Sequence, residues 1–223
     1  MTKRDDEPQS EKALRKGVIA TARRMSDSGL SPQRSGNVSA RFAGGMLITP
    51  TGMAYDELDA KDIVFVDADG GVMGGQRKPS SEWHFHLAAY ASRPDKHALV
   101  HTHSMHATVL ASAHKSIPAF HYMVAVAGGK DIPCVPYATF GTDALARHVA
   151  DGLKARDACL MANHGQVALG DTLTAALELA FEVETLAEQY FKTLLLGAVH
   201  LLSDDEMALM VEKFKTYGQK GQD

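Results

Sequence analysis

Cysteine is scarce: two in 223 residues, with a single tryptophan. Cys134 and Cys159 show no CxxC spacing, so neither a disulfide framework nor a cysteine-rich zinc site is on offer. They read as two reduced, packed thiols. No apolar run approaches the ~18 residues of a membrane span. The opening MTKRDDEPQSEK is polar and has no apolar h-region. No signal peptide is therefore expected, which points to the cytoplasm. Nor is charge of one sign abundant. Lys+Arg number 23 against 27 Asp+Glu, a net charge of −4. With no basic block, nucleic acid is not an expected partner. Repeats, linkers and low-complexity segments are absent.

What is present is ordinary soluble composition, 45% hydrophobic and 22% charged. A chain of this length can form one domain, expected over 1–223, and bury roughly 70% of its unfolded surface. Residues 1–10 read as a frayed tail. Leu14, Val18, Ala22 and Met25 recur at helical spacing, and Gly29 closes that helix. SGNVSARFAGGMLITPTG (35–52) alternates as strands about a hairpin, and 62–67 reads as another strand.

PSSEWHFHLAAYASRP (79–94) reads as a helix with Ser80 or Ser81 as N-cap and Pro94 as its stop. ALVHTH is a buried strand, followed by a short helix over 104–114. YMVAVAGG and IPCVPYA read as short apolar strands. Thr142 caps a helix to about Lys154, and ACLMANHGQVALG is strand, loop and strand. Asp171 begins a long helix to about Leu196. SDDE (203–206) has the form of a capping box before a last helix that turns Met207, Met210, Val211 and Phe214 inward. Strands and helices mixed along the length imply an α/β fold, helices covering a largely antiparallel or mixed sheet.

The stretch ALVHTHSMH (98–106) holds three of eleven histidines. On a strand, positions i and i+2 share a face, so His101 and His103 project together. Two neutral imidazoles side by side suit one divalent metal. Such pairs also occur as ordinary strand-end polar residues, so the spacing is permissive. His164, before Gly165 where an apolar strand meets a turn, is a third candidate ligand. Glu82 could add an oxygen. His84 and His86 have the same spacing, but on a helix such positions diverge, and they read as surface or interface residues.

Three loops carry hydroxyls, an amide and glycine: SGN (35–37), TPTG (49–52) and PSS (79–81). Each alone is turn and capping chemistry. Together, with Ser80 and Ser81 before a helix, they suggest a phosphate cradle without a Walker-type lysine.

SGNVSAR, ITPTGMAY, PSSEWHFH, HTH, IPAFHYMVAVAGG, PCVPYATFGT, NHG and EKFKTYG follow one another in this order. From about residue 11 to Gly218 the chain resembles the class II aldolase and adducin family. The resemblance implies a three-layer α/β/α fold and a homotetramer with sites at subunit interfaces. It implies Zn2+, or another divalent metal such as Mn2+ or Co2+, held by His101, His103, His164 and Glu82. Asn37, Thr51, Gly52, Ser80 and Ser81 match phosphate-binding positions. Glu82 and Tyr122 match catalytic ones, with Tyr122 reaching a neighbouring subunit's site. Phe140, Phe214 and Tyr217 match the aldehyde side, and 212–223 a mobile C-terminal segment.

The activity so implied is reversible cleavage of a ketose 1-phosphate to dihydroxyacetone phosphate and a small aldehyde, through a metal-stabilised enediolate. The substrate would be L-fuculose 1-phosphate, 5-deoxyribulose 1-phosphate or 5-methylthioribulose 1-phosphate. Decarboxylases and dehydratases of phosphorylated sugars or sugar acids, and pentulose-phosphate 4-epimerases, share the resemblance. SSE rather than SSD at 80–82 favours aldolase over epimerase. A Schiff-base mechanism at Lys78 or Lys130, and a metal-free adducin-like module, are the remaining alternatives.

Overall fold

A computed structural model describes residues 10–32 and 35–216. Among the described residues seven strands form one sheet: β1 (Asn37–Phe42), β2 (Gly45–Ile48), β3 (Val64–Val66), β4 (Ala98–Thr102), β5 (Cys134–Val135), β6 (Ala158–Met161) and β7 (Gly165–Gly170). Their order is β3-β2-β1-β4-β7-β6-β5. Every neighbouring pair is antiparallel except β5 with β6. Among the described residues six α-helices accompany them: α1 (Glu11–Asp27), α2 (Trp83–Ser92), α3 (Met105–Ser112), α4 (Asp143–Leu153), α5 (Leu173–Leu195) and α6 (Asp204–Lys215).

The two-residue period of the strands builds three layers. Ala98 and Val100 of β4, Ala158 and Leu160 of β6, and Ala168 of β7 face a core closed by α1, α3 and α5. Leu99, Cys159, Met161, Val167 and Leu169 face the opposite core, closed by α2 and α4. Side chains on alternate strand positions reach opposite faces. His101 is therefore directed to the α2 side, where Phe85 meets its ring edge-on at 5.4 Å. Directly across the sheet, Asn37 pairs with His101 and Ser39 with Leu99, so both lie on that same side.

Local signals account for most boundaries. Ser10, Thr142, Thr172 and Ser203 each accept a backbone N–H three residues on and start α1, α4, α5 and α6. Gly29, at φ +76°, follows the end of α1. Both cysteines are free, Cys159 buried and Cys134 half-buried. Among the described residues no helix is long and apolar enough to cross a membrane.

Four expectations need correction. YMVAVAGG is a 3-10 turn (Tyr122–Ala127), not a strand. His121 Nδ1 accepts the Met123 N–H at 3.2 Å and Gly128 closes the turn at φ +82°, while Val124, Ala125 and Ala127 are buried. IPCVPYA yields only the two residues of β5, since flanking prolines lack the N–H that pairing needs. Neither Ser80 nor Ser81 is the N-cap of α2; Glu82 holds that position. Ser80 is engaged otherwise, its N–H on the Thr49 carbonyl and its Oγ accepting the Glu82 N–H. Finally, His86 is fully buried, while His84 is half-buried and stacks on Trp83 at 3.7 Å. Of the expected C-terminal mobile segment, Glu212–Lys215 belong to α6, and 217–223, Tyr217 included, lie outside the described residues, as do 1–9.

Candidate functional site

The end of β4 supplies His101 and, just beyond it, His103. The turn between β6 and β7 supplies His164, and the N-terminus of α2 supplies Glu82. One ligand atom from each lies within 4.8 Å of all the others. His101 Nε2 is 3.0 Å from His103 Nε2 and 3.2 Å from Glu82 Oε2, and His164 Nε2 is 3.0 Å from Glu82 Oε1. The three imidazole rings meet edge to face at 4.8–4.9 Å.

Two local features make this convergence possible. Asn163 takes a left-handed conformation at φ +54°, which an asparagine tolerates, and this turns the chain so that His164 points inward. Gly165 lets β7 approach the end of β4. A Cβ there would stand 2.4 Å from the Thr102 carbonyl oxygen and 3.0 Å from His103 Cδ2.

The electrostatics fit a divalent cation. His101 Nδ1 lies 2.8 Å from the Gln166 carbonyl oxygen, which can only accept. Nδ1 therefore donates there, and Nε2 is the atom turned to the centre, where a bound cation would take its lone pair. Burial, then the neighbouring His101 and His164, pushes the His103 pKa down to about 3, so the His103 ring is neutral near neutral pH. Burial opposes the ionised form of Glu82, yet His101 and His164 outweigh it and hold the carboxyl well below the usual carboxylate range. A proton could satisfy one facing pair of nitrogens, whereas one divalent cation satisfies all four donors together.

Beside this cluster opens a cavity of about 330 Å³. Asn37, Thr51, Gly52, Ser80, Ser81, Glu82, His103, His164 and Phe140 line it, with His101 buried behind. The cavity thus gathers all five expected phosphate positions and one of the three aldehyde-side ones. Tyr122 and Phe214 are not among its walls. They stack on each other elsewhere, ring centroids 6.4 Å apart and nearly parallel, with Tyr122 49% exposed.

Met53, Tyr55, Tyr137, Ala138 and Asn163 also line the cavity and were not singled out in the sequence. Met53 and Tyr55 fall within ITPTGMAY, Tyr137 and Ala138 within PCVPYATFGT and Asn163 within NHG, but no spacing inside those segments marks them as site residues. Behind the wall, Asn37 Nδ2 donates to Glu82 Oε2 at 2.9 Å, and its Oδ1 lies 2.5 Å from His86 Nε2. His86 does carry a signal: it is four residues after Glu82, hence on the same face of α2.

The family model for the class II aldolase and adducin N-terminal domain matches residues 16–191. The chain is 51% identical to the 5-methylthioribulose-1-phosphate/5-deoxyribulose-1-phosphate aldolase of Rhodospirillum rubrum, covering 96% of this chain and 97% of that protein. It is 52% identical to the L-fuculose phosphate aldolase of Escherichia coli, covering 92% and 95%. A solved L-fuculose 1-phosphate aldolase, 39% identical, superposes with a TM-score of 0.89 over 93% of this chain and 98% of that one. Motifs, site geometry and likeness over nearly the whole length agree, and the chain belongs to the class II aldolase and adducin family.

Proposed function

We propose that this chain is a zinc-dependent aldolase that reversibly cleaves a ketose 1-phosphate to dihydroxyacetone phosphate and a small aldehyde. The observation that carries this reading is that Glu82, His103 and His164 open on the same cavity as Thr51, Gly52, Ser80 and Ser81. A cation donor set beside a hydroxyl-rich loop cluster is what a phosphorylated, oxygen-chelating substrate requires.

His101, His103, His164 and Glu82 would hold the cation, which supplies Lewis-acid stabilisation of the negative charge left by carbon–carbon cleavage. The hydroxyls of Thr51, Ser80 and Ser81 and the second amide hydrogen of Asn37 bind the phosphate. They fix the non-reacting end and contribute positioning energy. Glu82 is ionised near neutrality, so it meets the substrate as a proton acceptor and returns that proton after cleavage.

Tyr122, half exposed and away from its own chain's cavity, serves the site of a neighbouring copy in a homotetramer. There its hydroxyl would donate to the oxygen that becomes the aldehyde. Phe214 stacks on Tyr122 and accompanies it, with Tyr217 close behind in sequence. Met53, Ala138 and Phe140 give the cavity an apolar wall, which suits a ketose ending in a methyl or methylthio group. Discrimination among such ends is worth only ~1–3 kcal/mol, so a panel of substrates is needed.

The test is dihydroxyacetone phosphate release from L-fuculose, 5-deoxyribulose and 5-methylthioribulose 1-phosphates, with and without EDTA. Release that EDTA abolishes and zinc restores is the expected result. No release from any of them with zinc present overturns the aldolase reading in favour of a decarboxylase, dehydratase or epimerase.

A further inference from the structure

Alternate polar residues of β1, Asn37, Ser39 and Arg41, lie on the face that α2 covers. Glu82, His86 and Tyr90, four apart on α2, meet them in turn. Asn37 Nδ2 is 2.9 Å from Glu82 Oε2, and Asn37 Oδ1 is 2.5 Å from His86 Nε2. Ser39 Oγ is 2.7 Å from His86 Nδ1 and 2.8 Å from the Tyr90 hydroxyl. The Arg41 guanidinium lies over the Tyr90 ring at 4.8 Å. Asn37, Ser39, His86 and Tyr90 are all buried, and His86 is fully so.

Proton bookkeeping leaves one arrangement. An ionised Glu82 can only accept, so Asn37 must turn its NH2 toward it. Asn37 Oδ1 then accepts, and His86 Nε2 must carry the hydrogen. His86 Nδ1 accepts from Ser39, whose oxygen is left to accept from Tyr90. The opposite tautomer would turn the Asn37 carbonyl oxygen against the Glu82 carboxylate. Burial pushes the His86 pKa down to about 3, in keeping with a neutral ring.

We propose that His86 is a positioning residue: its Nε2–H locks the Asn37 amide, and the locked amide aims the Glu82 carboxylate at the metal-binding nitrogens. This rests on Glu82 acting as metal ligand and proton carrier. His86 touches neither metal nor substrate. It acts through Asn37, as outer partners of metal sites do, where their loss lowers affinity or activity about 10–100-fold.

Two polar variants separate the halves of the ring. His86→Gln keeps an amide hydrogen near the Nε2 position and gives up Ser39. His86→Asn keeps an atom near Nδ1 and gives up Asn37. On the full-length protein we expect His86→Asn to lose about 10–100-fold in zinc affinity, by chelator competition, and in kcat, with a smaller rise in KM because the Asn37 amide also faces the phosphate loops. We expect His86→Gln to stay within about threefold of the unmodified protein in all three. A merely packing role would lower Tm in both variants and leave zinc affinity alone.

Nitrogen-15 NMR of the unmodified protein should show the Nε2–H tautomer at His86, and it decides the matter if the variants do not fold. An Nδ1–H tautomer, or unchanged zinc affinity in His86→Asn, overturns the proposal. Absence of aldolase activity in the unmodified protein would instead sink the proposed function, while tautomer and zinc affinity would still decide the role of His86.

Discussion

The backbone of Gly165 runs so close to Thr102 that a Cβ on the glycine would stand 2.4 Å from the Thr102 carbonyl oxygen. The next nearest atom is His103 Cδ2 at 3.0 Å. This contact sets how tightly the end of β4 and the start of β7 bring His103 and His164 together. Gly165→Ala must push the strands apart. Overpacking of this kind costs about 1–3 kcal/mol, and a site loosened by more than ~0.5 Å loses its geometry. We expect a folded protein with zinc affinity down at least about tenfold, read by metal analysis after dialysis beside a urea melt. Full zinc content with unchanged kcat would count against this role for the contact.

Glu82→Gln preserves the shape of the side chain and removes the charge. General acid–base groups contribute about 10²–10⁴-fold, and kcat for dihydroxyacetone phosphate release should fall by that factor. The circular dichroism spectrum should stay unchanged. A loss smaller than about tenfold at saturating substrate would show that another group carries the proton.

Acid should destabilise the metal-free protein through His86. In the unfolded chain this histidine takes up a proton near pH 6.5, whereas burial holds the folded value at about 3. Between those limits the unfolded state binds more protons, so stability is fully present above pH 6.5 and falls as pH drops toward 3. The slope is about 1.4 kcal/mol per pH unit for one group. His103 adds a slope of the same sign over the same window, and Glu82, with its depressed carboxyl, adds one below about pH 4.5. Urea denaturation in EDTA at pH 6, 5 and 4 should show His86→Gln with a shallower fall than the unmodified chain. Identical slopes would mean that His86 is not the buried neutral group described above.

Much of this was legible from spacing alone. The apolar run ending in His101 and His103 announces a strand with two imidazoles on one face, and β4 is that strand as far as Thr102, with His103 just past its end. Thr142 and Ser203 announce their helices because capping is local chemistry. The His84/His86 spacing suggests two diverging surface residues, whereas the informative spacing of His86 is to Glu82, one helical turn before it. The run YMVAVA carries no period to distinguish strand from turn; its form depends on His121 and Gly128. Tyr137 reaches the cavity from the segment after β5, a long-range placement that no local pattern encodes. Tyr122 and Phe214 stack on each other away from the cavity they are proposed to serve, and no spacing within one chain could have placed them there.

The match between β1 and α2 works like a vernier, two scales with slightly different graduations. Two residues of strand advance about 6.8 Å, and four residues of helix about 6.0 Å. The scales coincide at Asn37 with Glu82 and stay close at Ser39 with His86; by the third pair, Arg41 with Tyr90, the difference has grown to about 1.6 Å and the contact is guanidinium on ring. Three marks are about all such a device can carry. An inserted residue would not weaken one mark but displace all that follow: in β1 it would send the polar set to the wrong face, and in α2 it would rotate the helix by about 100°. Point substitutions along these two segments are therefore individually survivable in a way that a change of length is not, and the carboxylate at the metal centre inherits that intolerance.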